Sequence, residues 1–553
     1  MSKSRCFIFL LLMGMAQTLL GQDRPKLVVA VVVDQMRHDY LSRYWDKFGE
    51  NGFKRLVNEG FNFENNHYNY LPTKTAPGHA SIFTGTTPMN HGIIGNNWYD
   101  RENGEMVYCV GDTAVSSVGT SRKSGKMSPH RLNGNTFADE NRIHTQMRGR
   151  TISVSLKDRG AILPGGHTAN GAYWFFGGDE GVFITSSYYR STLPNWVNDF
   201  NDSRKVDTYL RTWDTKNLSD TYTESIVDAN PYEGGFKGKA EPVFPYDLQK
   251  LKEQNGMYDI LMETPFGNDI TLDFALAAIE GENLGEDGYT DVLTVSFSST
   301  DKIGHNFGVD SKELEDAYLR LDENISRFLE YLDEKLGVHE YLFMLTADHG
   351  GTHVPAYLKS LKVPAGYFDM REFKSEVVKF SEKEFKTSGI IDNISNNQVF
   401  LDHDAISRAG HDLEKVVRSL YGHILNYPQV DKVFTRSQLE GSTIFHGTGS
   451  LAQLGFHLKR SGDLQFVLEP GILSYRTTGS THGDATNYDT HVPLIFYGKG
   501  IPVGSTYKRS HIVDIAPTIC AILGVSFPNL STGDPLWSML NLIPNNQPLV
   551  KQQ

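Results

Sequence analysis

Six residues able to hold a metal stand at, or just beyond, the ends of short apolar runs. Asp34 follows KLVVAVVV, Asp301 and His305 follow VLTVSF within STDKIGH, Asp348 and His349 follow YLFMLT within TADHG, and His482, in STHGD, precedes VPLIFY. Three carboxylates and three imidazoles at one sheet edge suffice for two zinc ions, each with a position open for water or substrate. Hard oxygen plus imidazole donors suit zinc better than calcium. Taken singly, each residue has a plainer reading. An Asp after a strand commonly caps a helix, and a given histidine among 19 is more often a surface or hydrogen-bonded residue than a ligand. His353, close after His349, and His491, beside the last run, are rival ligands. It is the coincidence across four segments that points to a metal site.

A second constellation lies in LPTKTAPGHASIFTGTTPMNHGIIGNNWYD, Leu71 to Asp100. A short apolar helical pattern around Ala80 to Phe83 begins near Pro77 and ends at Gly85, which puts Thr75 at its entrance. A hydroxyl there is usually only a cap. It can also be a nucleophile, because the positive end of the helix attracts a phosphoryl group and a zinc ion can keep the threonine oxygen as an alkoxide. Asn96, in the Gly-rich GIIGNNW loop, can donate its amide to a phosphoryl oxygen or serve as a turn residue.

The elements that must position these groups are legible in outline. Lys26 to Val33 is a continuous β-branched run, the pattern of a strand buried on both faces of a parallel sheet, and Val292 to Phe297, Tyr341 to Thr346 and Val492 to Tyr497 resemble it. Ser311 to Leu336 is the clearest helix: Leu314, Ala317, Leu321, Ile325, Phe328 and Leu332 recur at spacings of three and four, Ser311 can cap the start, and Glu313, Glu315 and Asp316 suit its positive end. Strand, helix, strand in that order predicts an α/β fold with a doubly wound, mainly parallel sheet flanked by helices, where ligands bind beyond the carboxyl ends of the strands. Two stretches interrupt it, about 102–150 and 354–478, and read as inserted caps. The second contains strand-like NQVFL, helical DLEKVVRSLYGHIL and strand-like LQFVLE.

The motifs VVDQMR, PTKTAPGH, GIIGNNWYD, SLKDRGAILPGGH, STDKIGHNFG, TADHG and STHG, spread over nearly the whole chain after its leader, resemble the alkaline phosphatase superfamily. Within it they are similar to the PafA-type alkaline phosphatases and the related nucleotide pyrophosphatase/phosphodiesterases. The resemblance implies an alkaline-phosphatase-like fold and two zinc ions. One would be held by Asp34, Asp348 and His349 with Thr75 facing it, the other by Asp301, His305 and His482, while Asn96 would bind a non-bridging oxygen. It also separates the subgroups. A Lys and an Arg at the SLKDRG motif contact the phosphoryl oxygens in PafA-type enzymes, and the diesterase branch lacks the pair. Here these are Lys157 and Arg159, whose spacing of two would send both side chains to one face of an extended segment. A monoester dianion carries an extra charge that such a pair neutralises. The expected chemistry is double in-line displacement through a phosphothreonine on Thr75, acting on phosphate monoesters, with phosphodiester or nucleotide pyrophosphate hydrolysis as the alternative. A sulfatase is excluded, since it needs Cys or Ser in place of Thr75 and an arginine where His79 stands.

The chain has 553 residues, 39% of them hydrophobic and 22% charged, the make-up of a globular protein with one large core or two moderate ones. A net charge of -13 disfavours nucleic acid as a specific partner and leaves small-molecule phosphate esters, drawn by locally placed cations, as the ligands. Lys3 and Arg5 before an apolar run from Cys6 to about Ala16, too short to span a bilayer, read as a signal peptide over about residues 1–22. That predicts an exported protein, periplasmic or secreted, with no stable membrane anchor, a single metallophosphatase domain over 23–540, and a monomer. Cys109 and Cys520, the cysteines beyond the leader, either stay free or form one bridge.

Overall fold

The computed structural model describes residues 24–543 apart from Ser442, so the expected leader at 1–22 lies outside the described residues. Five strands form a parallel centre: β1 (Leu27–Val33), β2 (Thr151–Ser155), β3 (Gly171–Phe176), β4 (Asp291–Phe297) and β5 (Tyr341–Thr346), in the spatial order β5-β1-β4-β2-β3. Every residue of β1 is buried, as a strand covered on both faces requires. Further strands at both sides, joined to the centre by antiparallel pairs, bring the sheet to ten strands. The α/β architecture expected from the sequence is the one observed.

The last apolar run departs from expectation. It forms β6 (Leu494–Gly498), and β6 runs antiparallel to β5, pairing Thr346 with Leu494 and Leu342 with Gly498. The reversal matters, because it brings the amino end of β6 to the edge where β1, β4 and β5 have their carboxyl ends. A residue upstream of β6 therefore meets residues downstream of the other three.

Helices α1 (Thr75–Thr84), α2 (Asp158–Gly165), α3 (Phe266–Glu282), α4 (Ser299–Phe307) and α5 (Lys312–Leu336) surround the site or pack on the sheet. The Ser311 hydroxyl caps α5, accepting from the Leu314 amide at 3.2 Å, and the six apolar residues predicted for its inner face are all buried. Its acidic first turn is not solvated. Glu313, Glu315 and Asp316 are buried: the segment from Trp213 to Tyr246 lies over Glu313 and Asp316, the Trp213 indole donating to Asp316 at 2.8 Å, and Glu315 pairs with Lys47. This covering was not legible in the sequence, since the segment has little regular periodicity.

Residues 370–472 carry a second sheet of four antiparallel strands, Ile391–Ser395, Gln398–Leu401, Leu464–Leu468 and Val430–Thr435 in spatial order, with helices Met370–Phe385 and Leu413–Leu425 against it. Phe373, Val377, Leu420 and Phe466 lie in its own apolar cluster, separate from the main core. Within 102–150, helix Phe137–His144 opens on a capping box between Thr136 and Asp139 and packs on helix Ile515–Leu523. Cys109 and Cys520 are buried free thiols.

Candidate metal centre and phosphoryl site

Asp34 ends β1, Asp301 lies in the first turn of α4 beyond β4, and Asp348 and His349 follow β5. One turn along α4, His305 comes onto the face of Asp301, with its Nε2 3.2 Å from Asp301 Oδ1. His482 Nε2 lies 3.6 Å from the same oxygen, and the His349 and His482 rings stack with centroids 3.4 Å apart. His349 Nε2 is 3.3 Å from Asp348 Oδ2 and 3.5 Å from Asp34 Oδ1. The structure thus brings all six residues to one place.

Each imidazole is oriented through its other nitrogen. Nδ1 of His305 donates to the Ser480 carbonyl at 2.7 Å, that of His482 to Thr73 at 2.7 Å, and that of His349 to Gly350 at 2.9 Å. A ring nitrogen facing a carbonyl carries a proton, so in a ring that is neutral Nε2 presents the lone pair. Burial pushes His349 and His482 well below the ordinary imidazole range, which keeps them neutral. Their lone pairs then face carboxylate oxygens, acceptor to acceptor, an arrangement that a cation between them satisfies. Asp34 Oδ1, Asp348 Oδ2 and His349 Nε2 are buried without a hydrogen-bond partner. The residues fit a pair of imidazole- and carboxylate-bound metal ions. Ligand atoms of Asp301, His305 and His482 form one tight group, and those of Asp34, Asp301 and His349 form another. Asp301 belongs to both, because α4 starts beyond β4 next to the end of β1, which the sequence did not reveal.

Burial pushes the Asp34 and Asp348 carboxyls up, and their acidic neighbours add to it. Burial raises Asp301 as well, but His305 and Lys157 outweigh it and hold that group well below the carboxylate range. Lys157 is the cation already in place. Its Nζ donates to Asp34 Oδ2 at 2.5 Å and to Asp301 Oδ2 at 2.6 Å, and the pull of these carboxylates overcomes its burial and keeps it protonated. Lys157 and Arg159 do not share an extended segment. The chain turns into α2 at Asp158, so Lys157 sits in the extended cap position and Arg159 in the first turn. Lys157 reaches the Asp34 and Asp301 carboxylates, whereas Arg159 Nη1 donates to the Tyr108 hydroxyl at 3.1 Å. Both still line one cavity.

Thr75 is the first residue of α1 rather than lying before a helix that starts near Pro77. Lys74 holds the extended cap position, the Thr75 hydroxyl makes no capping bond, and the residue is buried. Its backbone is fixed from both sides: Asn96 Oδ1 accepts from the Ala76 amide at 2.9 Å, leaving the Asn96 amide nitrogen for another acceptor, and the Lys74 ammonium donates to the His482 carbonyl at 2.6 Å. Gln35 was not singled out from the sequence, although it follows Asp34 directly. With a left-handed φ of 63°, it donates its backbone amide to Asp348 at 3.1 Å and its side-chain amide to Asp301 at 2.9 Å, tying three strand ends together. The rival histidines are occupied elsewhere. His353 bonds Asp310 at 2.7 Å, and His491 stacks between His38 and His67 with its Nε2 on the Glu64 carbonyl.

The family profile of type I phosphodiesterase / nucleotide pyrophosphatase matches residues 28–492. Alkaline phosphatase PhoV of Synechococcus elongatus is 45% identical over 520 residues, covering 94% of this chain and 93% of that protein. Alkaline phosphatase PafA of Elizabethkingia meningoseptica is 42% identical over 529 residues, 95% and 96% of the two chains. A relative from Myroides odoratus, 42% identical over 519 residues, 93% of this chain and 94% of its own, is named a calcium-transporting ATPase. The crystal structure of wild-type PafA superposes with a TM-score of 0.90 at 42% identity, covering 93% of this chain and 99% of that one. The chain belongs to the type I phosphodiesterase / nucleotide pyrophosphatase family, among its PafA-type alkaline phosphatases.

Proposed function

We propose that the chain is an exported, zinc-dependent alkaline phosphatase that hydrolyses phosphate monoesters through a phosphothreonine on Thr75. The observation that supports this most directly is the facing of imidazole lone pairs and buried carboxylates beside the start of α1, where Thr75 stands. Asp34, Asp348 and His349 with Thr75 would hold one zinc ion, and Asp301, His305 and His482 the other. When bound, the two ions supply the positive charge that favours a threonine alkoxide and offsets charge on the departing oxygen.

Thr75 Oγ1, having lost its proton to solvent, forms a bond to phosphorus in line with the leaving alcohol, whose P–O bond breaks. Water then attacks the phosphothreonine, releasing inorganic phosphate and returning the Thr75 hydroxyl. The Asn96 amide, Lys157 and Arg159 bind the non-bridging oxygens, so the residues act mainly by preorganised charge. A second crystal structure of PafA, 41% identical to this chain with a TM-score of 0.89, is of a mutant changed at a threonine, an asparagine, a lysine and an arginine. Those positions have the same spacing, Thr to Asn and Lys to Arg, as Thr75, Asn96, Lys157 and Arg159. The extra charge of a monoester dianion suits this cationic pair and favours monoesters over diesters. Nucleoside triphosphates present a similar terminal phosphoryl, which accommodates an ATPase name. Transport needs more, and among the described residues no helix is long and apolar enough to cross a membrane. The organisation we propose is one catalytic domain, acting as a monomer, with 102–150 and 354–478 as caps.

Purified enzyme assayed on an aryl phosphate monoester and the matching diester, with metal analysis of the same sample, tests this reading. Two zinc per chain, faster monoester turnover, and loss on chelation reversed by zinc are expected. Full activity without metal, or a faster diester, would overturn it.

A further inference from the structure

A cavity of about 310 Å³ opens beside the phosphoryl site, lined by three cations, Lys157, Arg159 and Lys302, and by an apolar wall that includes Trp174, Phe176 and Met262. Two of the cations have protein partners, Lys157 in Asp34 and Asp301, Arg159 in Tyr108, and both are assigned to the phosphoryl oxygens in the mechanism above. The Lys302 ammonium, among the described residues, makes no hydrogen bond or ion pair, although it is half-buried. The carboxylates within electrostatic reach do not bond it. Asp301 is engaged by Lys157 and His305, while Glu263 accepts from the Asn306 amide at 3.0 Å.

An ammonium removed from part of its hydration and facing a cavity is a ready site for an anionic oxygen. The phosphoryl charge is already matched by Lys157 and Arg159, which leaves Lys302 for a second charge on the same molecule. Apart from its phosphoryl group a phosphate monoester consists of its leaving alcohol, so a second charge on the same molecule belongs to that alcohol. One ammonium balances one negative charge, which fits a carboxylate better than a second phosphate dianion, and the apolar wall takes a carbon skeleton or an aromatic ring. Building on the monoesterase reading, we infer that Lys302 selects phosphate esters of hydroxy acids, binding the carboxylate of the leaving group.

The test compares 3-carboxyphenyl phosphate with 3-carbamoylphenyl phosphate, esters of nearly equal size, on zinc-loaded wild type, Lys302→Met and Lys302→Arg. The intrinsic reactivities of the two esters cancel when the ratio of their kcat/KM values is compared between enzymes. Lys302→Met should lower that ratio, carboxylate over carboxamide, about tenfold or more, as loss of a charge-assisted contact predicts. Lys302→Arg should restore most of it with unchanged zinc content. In wild type, rising salt should raise KM for the carboxylate ester more than for the carboxamide. An unchanged ratio in Lys302→Met, or equal salt dependence of the two esters, would overturn this inference alone. A wild type that hydrolyses neither ester would overturn the monoesterase reading and this inference with it.

Discussion

Thr75 is buried yet bound to its surroundings mainly through backbone, and that combination allows a clean separation of chemistry from stability. The hydroxyl is not a cap, and the amide that follows it is already satisfied by Asn96. Thr75→Ala should therefore leave stability within about 1 kcal/mol and both metals in place, while kcat/KM for monoesters falls by roughly a thousandfold or more. Trapping of labelled phosphate after acid quench checks the covalent step. The wild type should retain label and the variant none, and a variant with wild-type turnover would require a different nucleophile. Lys157 acts differently. Joined to Asp34 and Asp301, it offsets charge among the buried carboxylates as well as reaching the phosphoryl cavity.

The distance between α1, which carries the proposed nucleophile, and the residues proposed to hold the metals is set by a glycine. A Cβ on Gly78, one turn into α1, would come 2.4 Å from the Asp348 carbonyl oxygen and 2.9 Å from Asp348 Cβ. Backbone and ligand are both rigid there, so Gly78→Ala must push α1 away from the end of β5. A cost of about 1–3 kcal/mol is expected, with zinc content and monoester turnover falling together. Gly422→Ala serves as the comparison, because it lies inside the cap helix Leu413–Leu425 with nothing within 4 Å of its added Cβ. That change should leave activity unaltered and stability the same or higher by up to about 1 kcal/mol. Thermal melts and metal analysis of the two variants decide the matter, and a Gly78→Ala protein with full zinc and wild-type rate would show that α1 has room to spare.

At the scale of the whole molecule, buried neutral histidines tie the fold to pH. His38, His491 and His67 form a stack with centroids 4.2 and 4.5 Å apart. Burial pushes His38 down to about 4 and His67 down to about 3, with the neighbouring imidazole and arginine charges adding to it. His79, bonded to the Thr75 carbonyl and to Ser296, is likewise pushed to about 3 by burial. An unfolded imidazole takes its proton near 6.5, so between that pH and the folded values the unfolded chain binds more protons. The stabilisation is present in full above about pH 6.5 and is lost progressively as the pH falls towards 4 and 3. Tm should decline steadily from pH 7 to pH 4.5 in metal-free as well as zinc-loaded protein. A metal-free Tm that stays level over that range would show that these rings are not what makes the fold sensitive to acid.

Much of the site was determined locally and could be read from the sequence. Apolar runs that fill a parallel sheet must stop at its edge, so the polar residues that end β1, β4 and β5 are marked as neighbours. The step from Asp301 to His305 is legible as a spacing, while the helix α4 that turns it into one face came from the structure. The nature of the ligand set followed from the same residues. Only the tertiary structure decided which way the last strand runs, and that antiparallel turn is what carries His482 to the edge instead of away from it. It also decided that Asp301 joins both candidate ligand groups, that Lys157 and Arg159 part at the start of α2, that His353 and His491 have partners elsewhere, and that Lys302 faces a cavity with no partner among the described residues. Periodicity and strand ends are properties of a few consecutive residues. Strand direction and the meeting of side chains hundreds of residues apart depend on how the whole core packs, and no short window of sequence contains that.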